Sequence, residues 1–265
     1  GMALDAFGRP EEALRYVSDA ATNRRRNRPG THYLSQMLED QALILAELGR
    51  YREASGLLDE AAAIKAKINA RKDINHMAAR LKIDFLQGDP GDAKETIDSF
   101  YGAVPASAPL SPRLLRNLQA RADLALLQND PKTAISMAQR LSDVVRSNHD
   151  EFYLKSWLAQ AQMAEGQARL MEHDPSAALP ALRTATQSEE EMLDASSPVL
   201  GRAEALLGTA YFDLGDRAQA EAALAKAAGI LRVHPQLSEY YGRPARDLAK
   251  RLKAAPRAES NLTTN

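Results

Sequence analysis

The chain has 265 residues, with 34 Lys and Arg against 35 Asp and Glu and a formal net charge of −1. That balance provides no general attraction to nucleic acid or an anionic membrane, and a sequence without cysteine has no disulfide, thiol nucleophile or zinc–thiolate site. Hydrophobic residues are 45% of the chain but aromatics only 5%. With alanine and leucine abundant, this favours helices that approach through small side chains, and an all-α fold without a sheet is expected. No apolar run reaches the roughly 18 residues of a membrane span, and no signal peptide is recognisable, so a cytoplasmic protein is expected.

In chain order, Gly1-Met2 reads as a cloning remnant, and Ala3 to Phe7 as the last turn of a helix whose start lies outside this sequence. A fragment of a larger protein is therefore expected. One solenoid domain spans 2–254: a partial repeat at 2–28, then helical hairpins at about 31–67, 70–103, 111–147, 150–194 and 198–232. The segment Gly102 to Pro112, with three prolines, reads as an extended connector, either a long loop or a hinge between two sub-stacks. A capping helix with a polar outer face follows at 238–254, and Pro244 delays its start or kinks it. Residues 255–265 are polar and expected to be disordered.

A recurring phrase defines these units: Gly8-Arg9-Pro10, Gly49-Arg50-Tyr51, Gly88-Asp89-Pro90, Asn129-Asp130-Pro131, His173-Asp174-Pro175 and Gly215-Asp216-Arg217. The steps are 41, 39, 41, 44 and 42 residues. The first position ends a helix and requires left-handed backbone, which Gly adopts freely and Asn and His tolerate. The second, Asp in four units, caps the next helix. The third, Pro in four units, is the first helical residue, where a missing N–H costs nothing. Five residues after each phrase begins stands Ala13, Ala54, Ala93, Ala134, Ala178 or Ala220, a column that lets paired helices touch. Ala203, Leu206, Leu207, Ala210, Tyr211 and Leu214 then form one apolar stripe, and Ala220, Leu224, Ala227 and Leu231 the next.

Leu207-Gly208, Tyr211, Gly215-Asp216, Ala220, Leu224, Ala227 and Pro235 resemble the tetratricopeptide repeat signature. The resemblance extends more loosely from about Met2 to Pro235, with a period nearer 42 than the usual ~34. The longer helices look like those of kinesin light chains and of bacterial regulators with sensory repeat domains. The alternative is another helical-hairpin solenoid. The resemblance implies a right-handed α–α superhelix whose first helices line a concave peptide-binding groove. It carries this role onto Gln36, Glu39, Asn75, Lys82, Arg116, Gln119, Asp123, Gln160, Met163, Gln167, Arg202 and Thr209. This mostly polar surface suits an extended peptide or a helix. The two-carboxylate clamp of chaperone-binding members has no counterpart, because Glu39/Leu43, Ala78/Lys82, Gln119/Asp123, Met163/Gln167 and Ala205/Thr209 do not supply its Lys and Asn.

Arg24, Arg25, Arg26 and Arg28 read as cations at a helix C-terminus or, alternatively, as a site for phosphate or an acidic partner. Glu189, Glu190 and Glu191 read as a solvated face. No phosphate loop, HExxH, GxSxG or dinucleotide turn appears. His32, His76, His149, His173 and His234 are scattered; His173 reads as a helix terminator and His234 as a loop residue beside Pro235.

No enzyme, cofactor or metal is therefore expected. The leading expectation is a protein-interaction module binding a peptide or protein segment, with assembly of copies through the repeat ends as a further possibility. The alternative is the sensory or regulatory domain of a larger bacterial signalling protein, a Ser/Thr kinase or transcription regulator, responding to a peptide or small effector. His234-Pro235, Tyr240-Tyr241 and the following basic helix resemble the C-termini of such kinases only loosely.

Overall fold

A computed structural model describes residues 8–68, 74–91, 93–104, 109–147 and 152–254. The expected turn at Ala3–Phe7, His149, the middle of the 102–112 connector and the tail lie outside the described residues. Among those described there are twelve helices and no strand. They are α1 (Pro10–Asn27), α2 (His32–Glu47), α3 (Tyr51–Lys67), α4 (Ile74–Gln87), α5 (Ala93–Tyr101), α6 (Pro112–Leu127), α7 (Pro131–Arg146), α8 (Phe152–Met171), α9 (Pro175–Met192), α10 (Pro198–Asp213), α11 (Arg217–Arg232) and α12 (Glu239–Ala254). Each helix packs on the next in sequence, and α2, α4, α6, α8, α10 and α12 also pack along one another. This arrangement is consistent with a solenoid of helical hairpins.

The phrase that divides the sequence does its expected work at the turns. Gly8, Gly49, Gly88 and Gly215 have φ of 82°, 72°, 78° and 83°. Asn129 and His173, at 57° and 59°, are the only described non-glycine residues with positive φ. From Gly49 onward, the residue after each left-handed position donates its N–H to the carbonyl five residues back, as in Arg50 to Leu45 and Asp130 to Ala125, both at 2.8 Å. Orphan carbonyls at the helix end are satisfied in this way. Asp130, Asp174 and Asp216 cap the following helices, accepting from the N–H of Thr133, Ala177 and Gln219.

The third unit departs from the expectation. Asp89 accepts from the N–H of Gly91 instead, and α5 starts at Ala93 rather than at Pro90. Gly91, at φ 32°, takes the backbone out of helical conformation between the two.

All six alanines of the recurring column are at most 1% exposed. A larger side chain there would push the helices apart. Gly208 serves the same purpose on α10, because a Cβ would come within 2.7 Å of a Leu248 methyl and 3.1 Å of the Ala223 methyl.

The final helix does more than cap an end. Leu248 and Leu252 pack with Ala220, and Ala245 packs with Ala205 and Ala227, as a cap requires. Tyr241, however, is buried among Ala42, Leu45, Ala46, Ala79, Ile83 and Leu86 of α2 and α4. The helix begins at Glu239, so Pro244 lies inside it and does not delay its start.

The segment before α12 completes this return. The Ser238 N–H donates to the Glu47 carbonyl at 2.8 Å. The Ser238 and Tyr51 hydroxyls both reach the Leu86 carbonyl, at 2.8 and 2.7 Å, and each other at 2.7 Å. Two exposed-by-default helix ends, of α2 and α4, are thus finished by a residue from the far end of the chain. The end of the stack folds back onto its beginning.

Glycines on helices separate two packing situations. Gly56 on α3 and Gly229 on α11 have open space where a Cβ would stand. Gly56→Ala and Gly229→Ala are each expected to stabilise the protein by about 0.5–1 kcal/mol. Gly208→Ala is expected to destabilise it by about 1–3 kcal/mol through overpacking. Thermal denaturation of the three variants gives the comparison, and a gain in Tm for Gly208→Ala would contradict this packing.

Candidate functional site: the inner helical face

The expected groove residues stand on α2, α4, α6, α8 and α10, but their environments differ widely. Lys82 and Gln160 are exposed, whereas Gln36, Arg116, Gln119, Asp123, Gln167 and Thr209 are partly buried. Asn75 lies on α4, but its side chain is outside the described residues.

Three expected ligand contacts are consumed internally. Met163 is buried in a core cluster with Ala178, Leu182, Leu206 and Leu207, because its position on α8 faces α9 and α10. Thr209 donates its hydroxyl to the Ala205 carbonyl of its own helix at 2.9 Å. Glu39 is buried against Lys65 Nζ at 2.5 Å and His76 Nδ1 at 2.8 Å. This pair and its histidine tie α2 to α3 and α4 rather than facing a ligand. Breaking one member of such a buried pair costs more than making it gains.

The remaining inward groups converge. Gln119 donates to Asp123 at 3.0 Å along α6. Arg202 on α10 donates to the Gln167 side chain on α8, and its guanidinium lies 4.1 Å from the Tyr240 ring centroid. Stacking of this kind contributes about 0.5–2 kcal/mol. Lys82 on α4 pairs with Glu47 on α2 at 3.5 Å.

Asp123 joins these groups electrostatically. Desolvation raises its carboxyl pKa to about 6, opposed by the Gln119 hydrogen bond and by the charges of Arg202 and Lys82. The residue nevertheless keeps partial contact with solvent. Asp123 is thus a largely desolvated carboxyl on α6 that retains some contact with water. Sequence spacing could place these residues on the first helices of their units, but it could not show that the charges of Lys82 on α4 and Arg202 on α10 act on Asp123 of α6.

Other residues were not legible as site components. Tyr240 reaches Arg202 only because α12 folds back. His234 reads as a loop residue, yet it is buried between α1 and the α9–α10 connection. Of the acidic run, Glu190 pairs with Lys226 at 3.4 Å, but Glu189 is buried on the stripe of Ala178, Leu182 and Ala185. Burial alone raises its pKa to about 7. The solvated-face expectation therefore fails at Glu189, because the helical period turns it inward.

The arginine cluster is likewise partly structural. Arg25 grips Glu60 on α3, with Nε 2.9 Å from Oε1, and Arg24 lies 5.6 Å from the Tyr33 ring centroid. Among the described residues, no group of three His, Asp or Glu side chains is placed to hold a metal, and no helix is long and apolar enough to cross a membrane. The described surface depression, lined by Gly91, Lys94, Glu95, Asp98 and Ser99, shares no residue with the inner face.

Glu189 generates a pH prediction. Its folded pKa, about 7, lies above the ordinary value of 4.5. Its ionisation penalty is therefore nil below the unfolded value, grows as pH rises, and is complete above the folded value. The difference in unfolding free energy between Glu189→Gln and the native protein is expected to shift in favour of the variant by up to about 3 kcal/mol between pH 4.5 and 7. Denaturant melts at both pH values measure it; a constant difference would place Glu189 in water.

No protein-family model and no curated protein matches the sequence, so the reading of this face rests on its own residues.

Proposed function

We propose that this chain is a non-catalytic interaction module, built as a superhelix of long tetratricopeptide-type repeats, that binds a peptide or protein segment on its inner face. The observation that carries the reading is a set of polar groups on four different helices: Asp123 on α6 is bonded by Gln119 and influenced by the charges of Lys82 on α4 and Arg202 on α10, and Arg202 is bonded to Gln167 on α8. Polar groups of both charges in a confined, desolvated setting can hydrogen-bond a main chain and discriminate among charged side chains.

The return of α12 onto α2 and α4 favours a second reading. In it the chain is the sensory or regulatory part of a larger bacterial signalling protein, and a peptide or small effector shifts the balance between closed and open forms. Such a shift requires different affinities of the effector for the two forms.

Affinity capture from a bacterial lysate tests the groove. Lys82 and Gln160 are exposed and can be changed without opening the core, so a Lys82→Glu, Gln160→Lys variant is compared with the native chain at equal helicity. Loss of a captured partner by at least tenfold is expected. Equal retention would reject the inner face and move attention to the outer surfaces.

A further inference from the structure

The last turns of α1 and α3 and the first turns of α2 meet at one edge of the stack, where Ala21, Leu34, Leu38, Ala61 and Ile64 share an apolar cluster. Arg25 on α1 reaches across to Glu60 on α3, so the C-terminal ends of these two helices stand side by side. Cations gather there. Of the 34 Lys and Arg in the chain, eight fall within 24–28 and 65–72, two segments without an Asp or Glu.

Two of these cations have internal partners. Arg25 is paired with Glu60, and Lys65 is buried against Glu39. Arg26, Arg28 and Lys67 are exposed, and Arg24 is half-buried. Among the described residues no carboxylate pairs with any of these four. Helix C-termini attract cations, but each end carries only about half a negative charge, and the attraction fades beyond the last turn. The two helix ends therefore offset roughly one of the four charges, and an excess of about three remains on one small surface.

Apolar surface accompanies this charge. Tyr33, in the first turn of α2, is 65% exposed, and Ile68, directly after α3, is 40% exposed. The Arg24 guanidinium lies over the Tyr33 ring, which holds that cation at the aromatic surface. Arginine pairs with a carboxylate through two parallel hydrogen bonds, and an exposed ring beside it offers a seat for an apolar side chain.

The charge of the remaining chain selects among anionic partners. Outside the two segments, 26 Lys and Arg stand against 35 Asp and Glu. A nucleic-acid strand carries a charge at every phosphate, so beyond this edge it would run onto a surface with an excess of its own sign. A short acidic peptide segment confines its charge to the patch.

We propose that this edge is a second docking surface, which takes a short acidic segment of a partner protein: its carboxylates pair with Arg24, Arg26 and Arg28, and an apolar side chain of the segment rests on Tyr33. The edge lies at helix ends and shares no residue with the inner-face groups, so it adds a contact to the module rather than restating the groove.

Fluorescence anisotropy of the full chain tests it, with a short labelled peptide of glutamate, aspartate and leucine as the probe, at an ionic strength of ~0.15 M to screen diffuse attraction. Saturable binding is expected. Arg26→Glu, Arg28→Glu changes two exposed side chains and opens no core; at equal helicity it is expected to weaken binding by about tenfold or more. Tyr33→Ala, or replacing the leucines of the peptide by serine, is expected to weaken it several-fold. The Lys82→Glu, Gln160→Lys variant is expected to bind the peptide as the native chain does. Absence of binding, or equal binding by the double arginine variant, would overturn the proposal. So would a loss confined to the arginine variant with no dependence on Tyr33 or the leucines, which would leave counterion attraction alone. Tighter binding of a thymidine oligonucleotide of equal charge would reassign the edge to nucleic acid, and loss of the peptide by the Lys82→Glu, Gln160→Lys variant would move it to the inner face.

Discussion

The structure depends on the close approach of paired helices at a column of alanines. At Ala13, Ala54, Ala93, Ala134, Ala178 and Ala220 almost no solvent contact remains, so a helix surface there is little more than backbone and methyl. Two helices that meet at such a point can bury long stripes on either side of it, as Leu182 does with Met163 and Leu207. Dispersion contacts and apolar burial then accumulate along the hairpin, at about 1.5–3 kcal/mol for each fully buried large side chain. Because successive hairpins use the same contact, the inner helices face a common side, and the polar residues on that side meet one another.

End closure solves a problem created by this regularity. Each first helix ends in carbonyls without helical partners, and most are satisfied by the left-handed turn that follows. At Glu47 and Leu86, Ser238 and Tyr51 contribute as well, and Tyr241 fills the apolar gap between α2 and α4. Polar and apolar contributions thus coincide at one short segment. An exposed helix face would otherwise remain where Tyr241 now packs, so the fold-back and the integrity of the first complete hairpins are coupled.

The turns were legible because left-handed backbone has a narrow choice of residues, and Gly, Asn and His occupy those positions for that reason. The alanine column was legible because its spacing is local to each unit. Pro90 shows the limit of such reading: its phrase matches the others, yet Gly91 diverts the backbone and α5 starts later. Glu189 shows another limit, since a run of three like charges obscures the one that the helical period turns inward. The partners of His234, Ser238 and Tyr240 could not be read from local pattern, because they lie on distant segments of the chain. The same distance explains why Met163 looked like a groove residue. Its helix was right, but which neighbour its face would meet depends on how α9 and α10 stack.

The inner face is consequently a place where polarity and enclosure compete. Asp123 has two cations and an amide acting to keep it ionised, and desolvation still prevails to raise its pKa. In bulk water the balance would go the other way, since opposite charges favour the ionised carboxyl. Burial of Asp123 among the packed helices makes the difference. Arg202 is fixed by Tyr240 and Gln167 in the same setting, so its geometry depends on the end of the chain being in place. Displacing α12 would remove the stacking surface from Arg202. The position of the Arg202 guanidinium and the return of α12 are therefore linked through the Tyr240 ring.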